Sequence, residues 1–115
     1  MLYADAQVYA MLDRRPMARG HALVVLREHH ADLSTVPPGQ AAHLGEVVAR
    51  LSKALKEGLG ASSVYIAALG ELVPHVHYHL IPRYAEDKKG FVHFLSPRRD
   101  LADPDRLVRA IQQHL

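Results

Sequence analysis

The sequence predicts an α+β fold: a mainly antiparallel sheet with one long central helix and a C-terminal helix. Three observations predict it. His75-Val76-His77-Tyr78-His79-Leu80-Ile81 alternates strictly between imidazole and apolar side chains, the period-two mark of a strand with two unlike faces. Leu44, Val47, Val48, Leu51, Leu55 and Leu59 recur at helical spacing, which predicts one helix over about residues 38–58. Strands precede that helix, and strands and a second helix follow it. The last two strands are joined by a loop too short for a parallel crossover, so they pair antiparallel, with a helix packed on one face of the sheet.

The elements follow in order. Leu2-Tyr3-Ala4 reads as a strand edge and Asp5-Ala6 as a turn. Gln7–Leu12 is β-compatible. Pro16 and Gly20 punctuate a loop. Ala22–Leu26 is a continuous apolar run, the pattern of a fully buried strand. Pro37-Pro38-Gly39 breaks the chain ahead of the long helix, and Gly58 and Gly60 are read as its stop signals. Ser63–Leu69 reads as a strand, Gly70–Pro74 as a loop, and residues 75–81 as the histidine strand, ended by Pro82, which has no N–H for a ladder. Phe91–Leu95 reads as a further strand or a docked loop. Asp103-Pro104-Asp105 has the order of a helix start, with Asp103 as the cap, and Leu107, Val108, Ile111 and Leu115 form its apolar stripe.

A chain of 115 residues without repeats or a linker reads as one domain, residues 1–115. Fourteen basic against twelve acidic residues give a net charge of +2, too little to argue for a nucleic-acid partner. The absence of cysteine excludes disulfides, thiolate zinc sites and a cysteine nucleophile. No stretch reaches the roughly 20 apolar residues of a membrane span, and the N-terminus lacks a signal-peptide pattern. A cytoplasmic location is the expectation.

The histidine strand carries the chemistry. Residues i, i+2 and i+4 of a strand share a face, so His75, His77 and His79 line one side and Val76, Tyr78 and Leu80 the other. One use is structural, as a polar row on a half-exposed strand. A second is a metal site. Three consecutive same-face positions span about 13 Å, too far for all three to close on one tetrahedral ion, so another ligand such as His21 or Glu71 is required. The third is chemistry on a phosphate. Imidazole is a nucleophile at neutral pH, and neighbouring imidazoles hold protons and neutralise charge without a metal or other cofactor.

His75-Val-His-Tyr-His-Leu-Ile-Pro82, with Leu12-Asp13, Pro16, Gly20-His21-Ala-Leu-Val-Val-Leu26 and His29 upstream, resembles the histidine triad (HIT) family of nucleotide hydrolases and transferases. The resemblance covers about residues 3–84. It implies that His77 is the nucleophile, attacking an α-phosphorus to form a nucleotidyl-histidine that water or another acceptor resolves. It implies that His79 contacts the phosphate and assists the leaving group, that His75 supports and orients, and that His21 faces the triad from the neighbouring strand. Asp13 matches a position that contacts ribose hydroxyls; on the residues alone it reads equally well as a turn-forming aspartate. A small-molecule nucleotide, a purine by preference, and a homodimer are implied with it.

The chain departs from the family just before the triad. Many members carry Ala-Gly-Gln-Ser/Thr-Val there, with an asparagine further upstream. Here Glu71 stands in the nucleotide-contacting position of that glutamine and Leu72 in that of the hydroxyl, and no asparagine lies near Val64. An ionised carboxylate cannot donate to a phosphate and repels it. Two other uses of the fold therefore stand beside catalysis: a non-catalytic nucleotide- or partner-binding module, and the histidine-ligated metal site. Arg83 is read as a brace for its loop or an anion contact, and His30, His43, His93 and His114 as surface or hydrogen-bonded side chains.

Overall fold

A computed structural model of the chain describes residues 1–115. The period-two stretches become the strands β1 (Tyr3–Ala4), β2 (Val8–Leu12), β3 (Ala22–Leu26), β4 (Ser63–Ala67) and β5 (His77–Arg83). They form one antiparallel sheet in the order β1-β2-β3-β5-β4. The long helix α1 (Pro38–Leu59) connects β3 to the edge strand β4, and α2 (Pro104–Gln112) packs on it.

Alternation decides which face each side chain takes. Val8, Ala10 and Leu12 of β2, Ala22, Val24 and Leu26 of β3, and Leu80 of β5 are buried in the same core as Leu44, Val47, Val48, Leu51, Leu55 and Leu59 of α1. Each of these larger side chains contributes about 1.5–3 kcal/mol by leaving water. The residues between them point to the opposite face, which α1 does not cover. Register sets them in rows across the sheet: Tyr9, Val25 and His77 in one, Met11, Leu23, His79 and Ala67 in the next. The histidines thus sit on an apolar floor.

The structure differs from the sequence expectation in five places. The histidine strand begins at His77, because His75 N–H turns back to the Val73 carbonyl and Val76 bonds the loop residue His30. It continues through Pro82, which pairs with Val64 where β5 has already run past its last pair with β3, Ala22–Leu80, so one flank there needs no donor. Gly58 does not stop α1. The helix runs on to Leu59 and ends on the left-handed Gly60, while a Cβ at Gly58 would lie 2.5 Å from the Ala110 carbonyl oxygen of α2. Gly58 is therefore a close-approach residue between two helices. Asp103 precedes α2 but makes no side-chain cap; only its carbonyl accepts, from Leu107 N–H. β4 ends at Ala67, two residues short of the expected Leu69. Of the two readings of Phe91–Leu95 the structure takes the one that is not a strand, a short 3-10 segment docked through Phe94 on Tyr65.

Candidate functional site

The open face of the sheet holds a cavity of about 530 Å³. Its lining includes His75, His77 and His79, the apolar floor of Met11, Leu23 and Val25, and one cation, Arg98. Hydrogen bonds on the hidden edge of each imidazole fix the state of its other edge. His77 Nδ1 lies 2.7 Å from the His75 carbonyl oxygen and donates to it. A neutral imidazole with its proton on Nδ1 carries a lone pair on Nε2, and His77 Nε2 has no protein partner.

His79 is the mirror case. The Met17 N–H donates to His21 Nδ1 at 3.0 Å, so the proton of neutral His21 sits on Nε2, 3.0 Å from His79 Nδ1. His79 Nδ1 must accept, and its own proton is held on Nε2. The rings of His77 and His79 lie edge to face, 5.2 Å between centroids. One half-buried strand thus offers an unprotonated ring nitrogen beside a protonated one.

Burial favours the neutral form of both members of the His21–His79 pair. Burial lowers His21 to about 4, although Asp13 pulls in the opposite direction. Burial, then the neighbouring His77, lowers His79. Burial disfavours the charge on Asp13, but Arg15 N–H and the Arg98 guanidinium outweigh it and hold the carboxyl below its ordinary value.

Asp13 is less open than the sequence suggests. Oδ1 accepts from Arg15 N–H at 2.8 Å, the local turn that was one of its two readings, and Oδ2 accepts from Arg98 Nη1 at 2.8 Å. Oδ2 also lies 3.6 Å from His21 Nε2 and 4.0 Å from His79 Nδ1. His75 braces the site. Its Nε2–H donates to the Leu26 carbonyl at the end of β3, and Nδ1 accepts from His29 Nδ1 at 3.2 Å. Glu71 is not brought to the cluster. It is exposed on the 68–74 loop and makes no side-chain hydrogen bond or ion pair, whereas its neighbours Leu69, Leu72 and Val73 line the cavity. Arg83 is buried and braces its loop through the Tyr84 and Asp87 carbonyls. His93 is buried, with Nε2 donating to the Pro82 carbonyl.

Arg98 is the site residue that sequence reasoning missed. It follows Ser96-Pro97 and is 85 residues from Asp13. The 98–100 segment is zipped onto the 13–17 loop: Arg99 N–H donates to the Pro16 carbonyl, Arg99 Nη2 to the Met17 carbonyl, and Arg15 pairs with Asp100 at 2.7 Å. Arg98 Nη1 donates to Asp13 and to the Arg15 carbonyl, while its Nε and Nη2 make no protein hydrogen bond. The basic pair Arg98-Arg99 was the only local signal, and nothing near it in the chain points to β5.

Comparison with known proteins matches this architecture. The HIT domain family model matches residues 1–86. An uncharacterised HIT-like protein of Mycobacterium tuberculosis is 34% identical over 110 residues, covering 91% of this chain and 74% of that protein. The adenosine 5'-monophosphoramidase of Candida albicans is 32% identical over 94 residues, covering 74% of this chain and 62% of that enzyme. A zinc-bound histidine triad family protein from Mycobacterium smegmatis superposes with a TM-score of 0.81 at 34% identity, covering 98% of this chain and 81% of that one. The alternating histidines, the antiparallel sheet that presents them and these likenesses agree: the chain belongs to the histidine triad (HIT) family.

Proposed function

We propose that the chain is a nucleotidyl hydrolase or transferase that acts on the α-phosphate of a nucleotide ester, anhydride or phosphoramidate through a covalent intermediate on His77. The observation that carries this reading is the His77–His75 hydrogen bond, which leaves an Nε2 lone pair with no protein partner on a strand lining a 530 Å³ cavity. In the first step His77 Nε2 attacks phosphorus, the bond to the leaving group breaks, and the departing atom is protonated by His79 Nε2–H in its imidazolium form, which the charge of the bound phosphate favours over the neutral resting ring. In the second, water or another acceptor attacks phosphorus, returns its proton to Nε2 of the now neutral His79, and the P–N bond to His77 breaks. Arg98 Nε and Nη2 are the donors available to phosphate oxygens, in place of the side chains missing at Glu71 and Leu72. A base, a purine in this reading, lies on the Met11, Leu23 and Val25 floor. The Candida relative, named for its action on an adenosine 5'-monophosphoramidate, supports the substrate class. A homodimer and a cytoplasmic location belong to the same proposal; no helix is long and apolar enough to cross a membrane.

The test is adduct trapping. Wild type mixed briefly with a nucleoside 5'-phosphoramidate and quenched should gain the mass of one nucleotidyl group on His77, and His77→Ala should keep its fold and lose turnover. Full turnover in that variant would refute the reading. Turnover and adduct both absent from the wild type would instead favour a nucleotide-binding module without catalysis.

A second reading rests on Asp13, His21 and His79, whose ligand atoms lie within 4.8 Å of one another, and on the zinc-bound relative. The donor types suit zinc. Binding there uses His79 Nδ1 and must displace both the His21 hydrogen bond and the Arg98 guanidinium, so metal and phosphoryl chemistry compete for His79. Stoichiometric zinc in protein purified without a histidine tag, with activity restored by a chelator, is the expected signature; protein free of zinc and indifferent to added zinc argues against it.

A further inference from the structure

A cavity of about 300 Å³ lies between the 13–20 loop, the 99–103 segment and the first turn of α2, and no histidine lines it. Arginines from three separate parts of the chain meet there: Arg19 from the loop, Arg99 from the segment and Arg106 from α2. None of them makes an ion pair. Arg19 lies over the Tyr84 ring and gives one hydrogen bond, to the Leu59 carbonyl, and the Arg99 side chain gives one, to the Met17 carbonyl. Arg106 is exposed and its side chain gives none. Most of the N–H donors of the three guanidinium groups are therefore unused.

Two acids also border the cavity. Asp100 is committed elsewhere: Arg15 holds its Oδ1 at 2.7 Å, and its side chain is 94% exposed. Asp103 is the one carboxylate left, and it makes neither a helix cap nor an ion pair. Three fixed positive charges thus face one cavity with one uncommitted negative charge. Like charges gathered in this way repel, and burial of the core does not call for them, since all three arginines are exposed.

We infer that this cavity is an anion site separate from the histidine cavity, that it takes a phosphate dianion, and that its occupant fastens the segment that carries Arg98. The planar fork of a guanidinium matches two phosphate oxygens at once, and a dianion balances the excess charge. The volume falls at the small end of ligand pockets and admits either free phosphate or a phosphate carried on a small polar alcohol. The fastening follows from the connections of Arg99. Its N–H donates to the Pro16 carbonyl and its Nη2 to the Met17 carbonyl, while its neighbour Arg98 reaches Asp13 at 2.8 Å. An anion shared by Arg19, Arg99 and Arg106 ties the loop, the segment and α2 together behind those contacts. The ligand binds only the state in which the three are assembled, so it shifts the population toward that state. No bond is made or broken, and the site stands whether or not His77 is a nucleophile.

The experiment measures thermal unfolding and amide hydrogen exchange of the full chain with inorganic phosphate or glycerol 3-phosphate, against sodium chloride of equal ionic strength. With a dissociation constant on the order of 1 mM, about 10 mM anion should raise Tm by about 5 °C and slow exchange of the Arg99 amide by about tenfold. The anion with the larger effect shows whether the phosphate is free or esterified. Arg106→Ala should abolish both effects. Without anion this variant should be no less stable than the wild type, because it removes an unpaired charge; an arginine that braces the fold would cost stability instead. The double variant His77→Ala/His79→Asn should keep both effects. No rise in Tm beyond that in chloride overturns the inference. So does a rise that survives Arg106→Ala or vanishes in the double histidine variant, which places the anion among the histidines. A rise in Tm with unchanged exchange at Arg99 overturns the fastening of the segment.

Discussion

His21 Nε2 lies 3.0 Å from His79 Nδ1, and the direction of that hydrogen bond is set on the opposite edge of the His21 ring by the Met17 amide. A backbone donor that cannot change sign makes His21 Nδ1 an acceptor, so His21 is a donor at Nε2 and His79 a donor at its own Nε2. The tautomer of a strand residue is thus decided in the 13–20 loop. His21 is 1% exposed, so its neutrality is also a matter of stability.

The first prediction follows from that burial. The folded value of His21 is lowered from 6.5 to about 4, so the native state binds fewer protons than the unfolded chain between those values. Stability is unaffected above pH 6.5 and is lost as pH falls from about 6.5 to about 4. The loss should reach about 2 kcal/mol by pH 5, with His79, also lowered, acting in the same direction. Between pH 7 and 5 the depressed carboxylates of Asp5 and Asp13 stay ionised in both states and do not contribute. Urea midpoints at pH 7 and pH 5 measure the effect. His21→Gln, which can still accept from Met17 and donate to His79, should remove most of the difference; an undiminished difference would show that the proton is taken up elsewhere.

The same chain of donors predicts how His79 acts. If His79 Nε2 supplies the proton, His79→Asn should slow release of a basic amine by about a hundredfold or more and have much less effect on a p-nitrophenolate leaving group, which departs unprotonated. Equal losses for the two substrates would give His79 a binding role only.

Much of this geometry was legible in the chain and some was not. Strand alternation correctly put Tyr78 and Leu80 on one face of β5 and His77 and His79 on the other, because a period of two leaves no other choice. The helix was legible because seven buried positions repeat on one face over 22 residues. Its end was misread at Gly58, since a glycine that stops a helix and one that admits a neighbouring helix look the same until α2 is in place. Gly20-His21 was legible as part of a motif, but its hydrogen bond to the backbone of Met17 was not. Arg98 was invisible for a stronger reason: its role depends on a backbone zipper to a loop about 80 residues earlier, and long-range pairing leaves no local period. Glu71 was legible as a departure, but its exposure on the loop, which keeps the carboxylate out of the cluster, was not.

Arg98 gives the third prediction. Its Nη1 is held by Asp13 and Arg15, which fixes the guanidinium plane and leaves Nε and Nη2 for a bidentate anion. Arg98→Ala should lower kcat/KM by about tenfold to a thousandfold, with part of the loss in kcat, since charge builds on the phosphate oxygens in the transition state. Arg98→Lys keeps the charge and loses the fork, and should recover only part of the activity. A kcat/KM unchanged by Arg98→Ala would restrict the residue to tying the 98–100 segment onto the 13–17 loop, a role that thermal unfolding would then report.

The last prediction concerns Gly20, which delivers His21 to the site. Its φ of +86° lies in the region that side chains rarely adopt, and a Cβ there would lie 2.5 Å from Leu59 Cδ1 and 3.4 Å from Leu55 Cδ2. Those methyl groups belong to buried residues at the end of α1, so they have little room to withdraw. Backbone strain and crowding together should cost about 1–3 kcal/mol in Gly20→Ala. The strain falls on the residue next to His21, so the Met17 to His21 hydrogen bond should loosen as well, and cleavage of basic-amine substrates should fall more than cleavage of p-nitrophenyl esters, as in His79→Asn. Gly39→Ala is the control. It lies in the first turn of α1 with nothing within 4 Å of the new Cβ and should be neutral or stabilising by up to about 1 kcal/mol. Denaturant midpoints for the two variants, measured with the two substrate classes, decide the point. Equal stabilities, or a Gly20→Ala enzyme that slows on both substrates alike, would mean that His21 is positioned by its own ring contacts and not by the turn before it.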